Sequence, residues 1–171
     1  MELELSKELE KDFVFKKIAE FLKSKDLPVI EEDQSRPWGG FFVIDEKKAV
    51  AFAEFFFPDI KLSDIQITNK LSPKILIVAP NKRLSWQYHF RRAEIWKILF
   101  ESVGIKTSPT DQEGDLQFLN EGTIIQMDKG IRHRLIGLDS WGVVAEIWQH
   151  TDADNPSNED DIVRLQDDFG R

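Results

Sequence analysis

The chain has three histidines, His89, His133 and His150, and no cysteine. Disulfides, thiolate metal sites and cysteine nucleophiles are therefore excluded together, and any metal must be held by His, Asp, Glu, Gln or Asn. His89 belongs to Leu84-Ser85-Trp86-Gln87-Tyr88-His89-Phe90. Successive side chains of a strand point to opposite faces, so this run places Trp86, Tyr88 and Phe90 on one side and Gln87, His89 and Arg91 on the other. A barrel wall with a packed outside and a polar inside would show this alternation. Glu94 has the wrong parity to join Gln87 and His89 on a straight strand. It can join them only where the chain turns or bulges near Arg91–Ala93. The order is Gln-x-His-x4-Glu, followed 39 residues later by His133, which sits in Gly122-x5-Asp128-x-Gly130-x2-His133-x3-Gly137. His150 opens the polar stretch TDADNPSNEDD and is expected to be solvated.

The elements around these residues fall into two regions. From Lys74 onward, KILIVA, LSWQYHF, EIWKILF, DLQFL, TIIQM, RLIGL and GVVAEIWQH are separated by turn-like breaks such as Pro80-Asn81 and Lys129-Gly130. Many short strands at near-even spacing indicate an antiparallel sandwich or barrel. Before them, residues 6–24 read as an amphipathic helix, capped by Ser6, with Val14, Ile18, Phe21 and Leu22 on one face. EEDQS reads as a linker, then Arg36-Pro37-Trp38-Gly39-Gly40 leads into a short strand at Phe41–Ile44. Trp38 is expected in the core. Asp45 can cap a second helix that Pro58 stops, with Phe52, Phe55 and Phe56 as its apolar face. No internal repeat stands out.

At 171 residues with 41% hydrophobic and 32% charged side chains, one folded domain is expected. The net charge of −8 argues against a nucleic-acid partner, which needs clustered positive charge. No apolar run approaches the ~18 residues of a membrane span, and the acidic start is unlike a signal peptide. The expectation is a cytoplasmic protein with no membrane partner.

The two histidine segments resemble the two motifs of the cupin superfamily, with Asp128 for the usual Pro, Gly137 for the usual Asn, and Glu101 where the first motif closes on Gly. Arg36-Pro37-Trp38-Gly39, Leu84-Ser85-x-Gln87-x-His89, Arg92-Ala93-Glu94-x-Trp96, His133-Arg134-Leu135, Glu159-Asp160-Asp161-Ile162-Val163-Arg164 and the ending Asp168-Phe169-Gly170-Arg171 occur in order. Together they resemble the C-terminal isomerase domain of type II mannose-6-phosphate isomerases, which are bifunctional with mannose-1-phosphate guanylyltransferase. The likeness covers residues 36–44 and 74–171. One family histidine is Arg91 here.

The resemblance implies an all-β fold, a cupin jelly-roll barrel over residues 36–171, to which the residue pattern adds an N-terminal helical extension (1–35) and a short helical insert at 45–70. It implies one divalent metal ion on Gln87, His89, Glu94 and His133. Two imidazoles, an amide and a carboxylate suit zinc first, and also Fe, Mn, Co or Ni. The implied reaction interconverts an aldose phosphate and a ketose phosphate through an enediolate. Glu146 would be the base, with the pairing to a nearby arginine as its alternative. Arg164 and Arg171 match family arginines suited to a phosphate, or else pair with the acidic tail. Arg164 is counted with the catalytic residues, and Lys74, Arg92, Arg134 and Arg171 with the substrate-binding ones. The partner is then a sugar phosphate, and the fold leaves a homodimer open. A non-catalytic sugar-binding cupin and a metal-dependent oxygenase are the rival readings.

Overall fold

The computed structural model describes residues 3–170. After the helix α1 (Lys11–Ser24) come the strands β1 (Val29–Asp33) and β2 (Gly39–Ile44), a 3-10 turn at Glu46–Lys48, and the helices α2 (Ala49–Phe56) and α3 (Leu62–Ile65). The remaining strands are β3 (Lys74–Val78), β4 (Trp86–Tyr88), β5 (Arg92–Phe100), β6 (Val103–Ser108), β7 (Gln117–Leu119), β8 (Ile124–Met127), β9 (Arg132–Gly137), β10 (Gly142–His150) and β11 (Val163–Gln166). They form two sheets with antiparallel pairings, ordered β1-β2-β3-β10-β5-β8 and β11-β4-β9-β6-β7. This is the two-sheet jelly roll, all-β with a small helical content.

The inner strands β3, β10 and β5 of the six-stranded sheet are buried on both faces. Between the sheets lie Leu76, Val78, Trp96, Ile98 and Val144 from one side and Val103, Ile105 and Leu135 from the other, with Trp38 among them as expected. On the outer face, Phe42, Ile75, Ile77, Ile95, Val143, Ala145 and Ile147 pack against Val14, Phe15, Ile18 and Leu22 of α1 and Phe52 and Phe56 of α2. Double burial explains why β3 and β10 read as near-continuous apolar runs and do not alternate.

Three local readings of the sequence are corrected. Ser6 does not cap α1, which starts at Lys11 without a side-chain cap. The residues before it are held elsewhere: the Leu5 carbonyl accepts from the Trp141 backbone N–H at 2.9 Å and the Leu9 carbonyl from the Trp141 indole at 3.1 Å. Most of EEDQS is not a linker, since Glu31, Glu32 and Asp33 pair with β2. An edge strand with outward polar side chains has the composition of a loop. Phe55 is 46% exposed, while Phe52 and Phe56 are buried. Asp45 does cap the turn before α2, accepting from the Lys47 N–H at 3.0 Å.

Candidate active site

The parity problem at Glu94 is solved by a corner. β4 belongs to the five-stranded sheet and β5 to the six-stranded one, and the chain turns between them at His89–Arg91. His89 comes from the end of one wall and Glu94 from the start of the other. Asp161 holds this corner: its carboxylate accepts from the backbone N–H groups of Phe90 and Arg91, each at 2.9 Å, and from the Ser157 hydroxyl at 2.7 Å. Gly130, at φ +84°, donates its N–H to the His89 carbonyl at 2.9 Å and so ties the second motif to the corner. The Glu101 backbone keeps the left-handed φ of +59° that a closing glycine would take without strain.

His89, Glu94 and His133 are buried together, with one ligand atom of each within 4.8 Å of the others. His89 Nε2 lies 2.9 Å from Glu94 Oε1, and His133 Nε2 lies 3.3 Å from Glu94 Oε2. The His133 contact is too poorly aligned for a hydrogen bond, so Nε2 of this buried ring has no hydrogen-bond partner. Both rings turn Nδ1 toward backbone carbonyls, of Asp161 at 2.7 Å and Ile131 at 3.1 Å. With Nδ1 as the donor, each neutral imidazole presents an Nε2 lone pair inward, the arrangement that metal-ligating histidines use. Gln87 stands opposite His133 in register and lines a cavity together with Glu94, its amide oxygen accepting from Ser85 at 2.9 Å. The donor set therefore fits a divalent cation on His89, Glu94 and His133, with Gln87 beside them. Arg92 Nη2, 3.3 Å from His89 Nε2, would have to give up that contact.

Burial alone would raise the Glu94 carboxyl, but the charges of His89, Arg92 and His133 outweigh it and hold the group well below the usual carboxylate range. Burial lowers His89 despite Glu94. In His133 the attraction of Glu94 wins over burial and raises it.

A second feature lies one strand away and shows a repeat that sequence inspection overlooks. Ala93-Glu94-Ile95-Trp96 on β5 recurs as Ala145-Glu146-Ile147-Trp148 on β10, and the antiparallel register pairs Glu94 with Trp148 and Trp96 with Glu146. Two carboxylates and two indoles thus form a crossed square on the inner face. The Glu146 carboxylate accepts from the Trp96 and Trp148 indoles, each at 2.7 Å, and Trp96 also reaches Glu94 at 3.2 Å. Burial, then the neighbouring Glu94 charge, push Glu146 up to about 7, opposed by Lys74, Arg92 and the Trp148 bond.

The square opens on a cavity of about 90 Å³, lined by Trp38, Lys74, Gln87, Glu94, Glu146 and Arg164 among others. Trp38 is 4% exposed and its indole N–H has no partner. Lys74 stands opposite Glu146 in register and pairs with Glu159 at 2.5 Å. Arg92 also borders the cavity, but its donors are directed to Glu94, Ser157 and the Asn158 carbonyl, and it stacks on Trp148 at 3.7 Å. Arg134 is elsewhere: next to inward-facing His133, it points outward, donates to the Leu84 carbonyl and pairs with Glu113 at 2.5 Å. Arg171 lies outside the described residues. His150 is buried, not solvated: its Nδ1 accepts from the Ser157 N–H at 3.0 Å, and Nε2 meets the Ser72 hydroxyl at 3.2 Å. Burial, aided by Lys70 and Arg92, lowers it to about 4. Sequence reasoning passed over Trp96, Trp148, Ser157 and Asp161 as site residues, although the AEIW repeat was a signal for the first two.

Comparison with known proteins agrees with this geometry. Among solved structures, the fold is similar to the capsular polysaccharide assembling protein CapF of Staphylococcus aureus (TM-score 0.53, 12% identity, covering 81% of this chain and 34% of that one). It is also similar to a variant of Bacillus subtilis oxalate decarboxylase (TM-score 0.55, 11% identity, 79% and 30% covered). In sequence, a mannose-1-phosphate guanylyltransferase of Salmonella montevideo is 27% identical over 122 residues, 71% of this chain. The chain spans only 24% of that relative's length. Residues 45–167 match the family described as mannose-6-phosphate isomerase C-terminal, a span that includes both histidine motifs, the corner and the crossed square. The chain is a cupin and belongs to the mannose-6-phosphate isomerase C-terminal family.

Proposed function

We propose that this cupin is an aldose–ketose isomerase for a sugar phosphate and that Glu146 is its base. A divalent ion on His89, Glu94 and His133 would supply a positive centre that polarises the sugar's carbonyl and hydroxyl oxygens. Glu146 removes the proton from the carbon beside the carbonyl and returns it to the former carbonyl carbon, while the hydroxyl proton passes from one oxygen of the enediolate to the other, so one carboxylate serves both carbon transfers. Burial raises the Glu146 carboxyl above the usual carboxylate range, the direction that a group taking a proton and giving it back near neutral pH requires. The Trp96 and Trp148 indoles fix the carboxylate by both oxygens, and its buried position keeps it out of water. Arg36, Lys74, Arg92 and Arg164 line the same cavity and place positive charge where a phosphate would bind. The observation that carries this reading is a buried carboxylate, held on two indole donors, facing a cavity beside a two-histidine, one-carboxylate cluster.

The test is Glu146→Gln in D2O. The wild type should wash deuterium into C1 or C2 of a hexose 6-phosphate during conversion, and the variant should lose this by roughly 10²–10⁴-fold while still binding metal. The amide nitrogen cannot accept from an indole, so the variant should also be less stable by about 1–3 kcal/mol. Its melting curve must therefore be recorded with its activity. A folded, metal-loaded wild type that exchanges no deuterium with any aldose or ketose phosphate would favour a non-catalytic sugar-phosphate-binding cupin.

A further inference from the structure

The 90 Å³ cavity does not stand alone. Against it lies a second cleft of about 270 Å³, walled by Ile30, Val43, Ile44, Pro73 and Trp148 and edged by Lys70. Both spaces are lined by Lys74 and Glu159, so this ion pair, 2.5 Å long, stands where the two meet. Its two halves are unequal. The Lys74 side chain is 8% exposed, lying over the Phe41 ring at 4.8 Å and near Trp148, whereas the Glu159 side chain is 69% exposed. A buried ammonium needs an anionic partner. An exposed carboxylate can turn to water at little cost.

The backbone on both sides of Glu159 is fixed. Ser157 donates its N–H to His150 and its hydroxyl to Asp161, the Asn158 carbonyl accepts from Arg92 at 3.0 Å, and Asp161 holds the corner. Separating the pair therefore takes a rotation of one side chain and no movement of the loop.

We infer that Glu159 occupies, on Lys74, the position of the substrate's phosphate, and that a phosphorylated sugar enters by displacing it and joining the two spaces into one site. The class of substrate rests on the isomerase reading. The displacement rests on the ion pair and the two spaces. A phosphate brings more negative charge and more acceptor oxygens than a carboxylate, so it is the stronger partner for Lys74. With the phosphate on Lys74, its outer oxygens face the cleft and Lys70, while the sugar carbons extend toward Glu146, which is the register partner of Lys74 on the next strand.

Calorimetric binding of inorganic phosphate and of mannose 6-phosphate to the metal-loaded protein tests this. Glu159→Gln removes the competing charge and should tighten both ligands by roughly three- to tenfold, the scale of a partly exposed ion pair. Lys74→Met, which keeps the buried stem, should weaken both by at least tenfold. In the Lys74→Met background the gain from Glu159→Gln should vanish, since the two changes act on one contact. Unchanged or weaker binding by Glu159→Gln overturns the inference, as does a gain that persists without Lys74. If Lys74→Met does not fold, Lys74→Gln takes its place in the cycle. Because inorganic phosphate binds without turnover, a protein inactive in D2O that still shows the Lys74-dependent gain with phosphate would lose the isomerase reading and keep this one.

Discussion

His133 Nε2 is a buried nitrogen with no hydrogen bond, 3.3 Å from a carboxylate oxygen that it does not engage properly. Leaving such a group unmet costs roughly 1–3 kcal/mol, so its position calls for a partner that the protein does not itself provide. A divalent cation is the partner suited to a lone pair that points the same way as those of His89 and Glu94. Metal bound only by the folded state adds to stability in proportion to the logarithm of its concentration over Kd. Chelation should therefore lower the melting temperature, and restoring zinc at about a hundredfold over Kd should raise it by roughly 5–10 °C. His133→Ala should abolish that response. Elemental analysis showing no metal in the wild type, with melting insensitive to zinc, would mean that the three residues are a polar cluster only.

At the scale of elements, the site depends on the corner between β4 and β5, and the corner depends on Asp161. Burial would raise this carboxyl, but the Ser157 hydroxyl and the Phe90 and Arg91 N–H groups outweigh it and lower its pKa. A carboxyl depressed in the folded state contributes stability above its unfolded pKa of about 4, and the contribution disappears as pH falls through the folded value. Asp161→Asn turns an NH2 toward groups that are themselves donors. It should cost about 1–3 kcal/mol at pH 7 by denaturant titration, and the gap from wild type should narrow as the pH drops below about 4. A gap independent of pH would mean the carboxylate charge is not what holds the corner. Much of this element was legible beforehand: the wrong parity of Glu94 called for a turn or bulge near Arg91–Ala93, and the chain turns just before it, at His89–Arg91. The clamp was not, because Asp161 lies 70 residues further on in a polar tail whose composition matches any surface loop. The placement of Arg134 was open to a local rule and was missed. It adjoins a ligand histidine in sequence, but alternation along β9 sends it to the other side of the wall.

For the whole molecule, the issue is how far the barrel extends beyond the family-matched span of 45–167. The helix α1 and the strand β1 precede that span, yet Val14, Phe15, Ile18 and Leu22 share one core with Ile75, Ile77, Ile95, Val143, Ala145 and Ile147. Alternation makes this consequential. On β5 and β10, the residues between Glu94 and Trp96 and between Glu146 and Trp148 are Ile95 and Ile147, which face outward into that core. The helical layer thus braces the backbone that carries the crossed square, one residue removed from each functional group. Phe15, 1% exposed, packs against Phe42 with the rings tilted and their centroids 5.3 Å apart. Phe15→Ala should cost about 3–5 kcal/mol, or roughly 6–20 °C in melting temperature. If helices and barrel form one cooperative unit, calorimetry will show a single transition shifted down, with site occupancy lost at the same temperature as the sheets. Two separate transitions, with the metal retained through the first, would make residues 1–35 an appendage and leave the barrel able to hold its site alone.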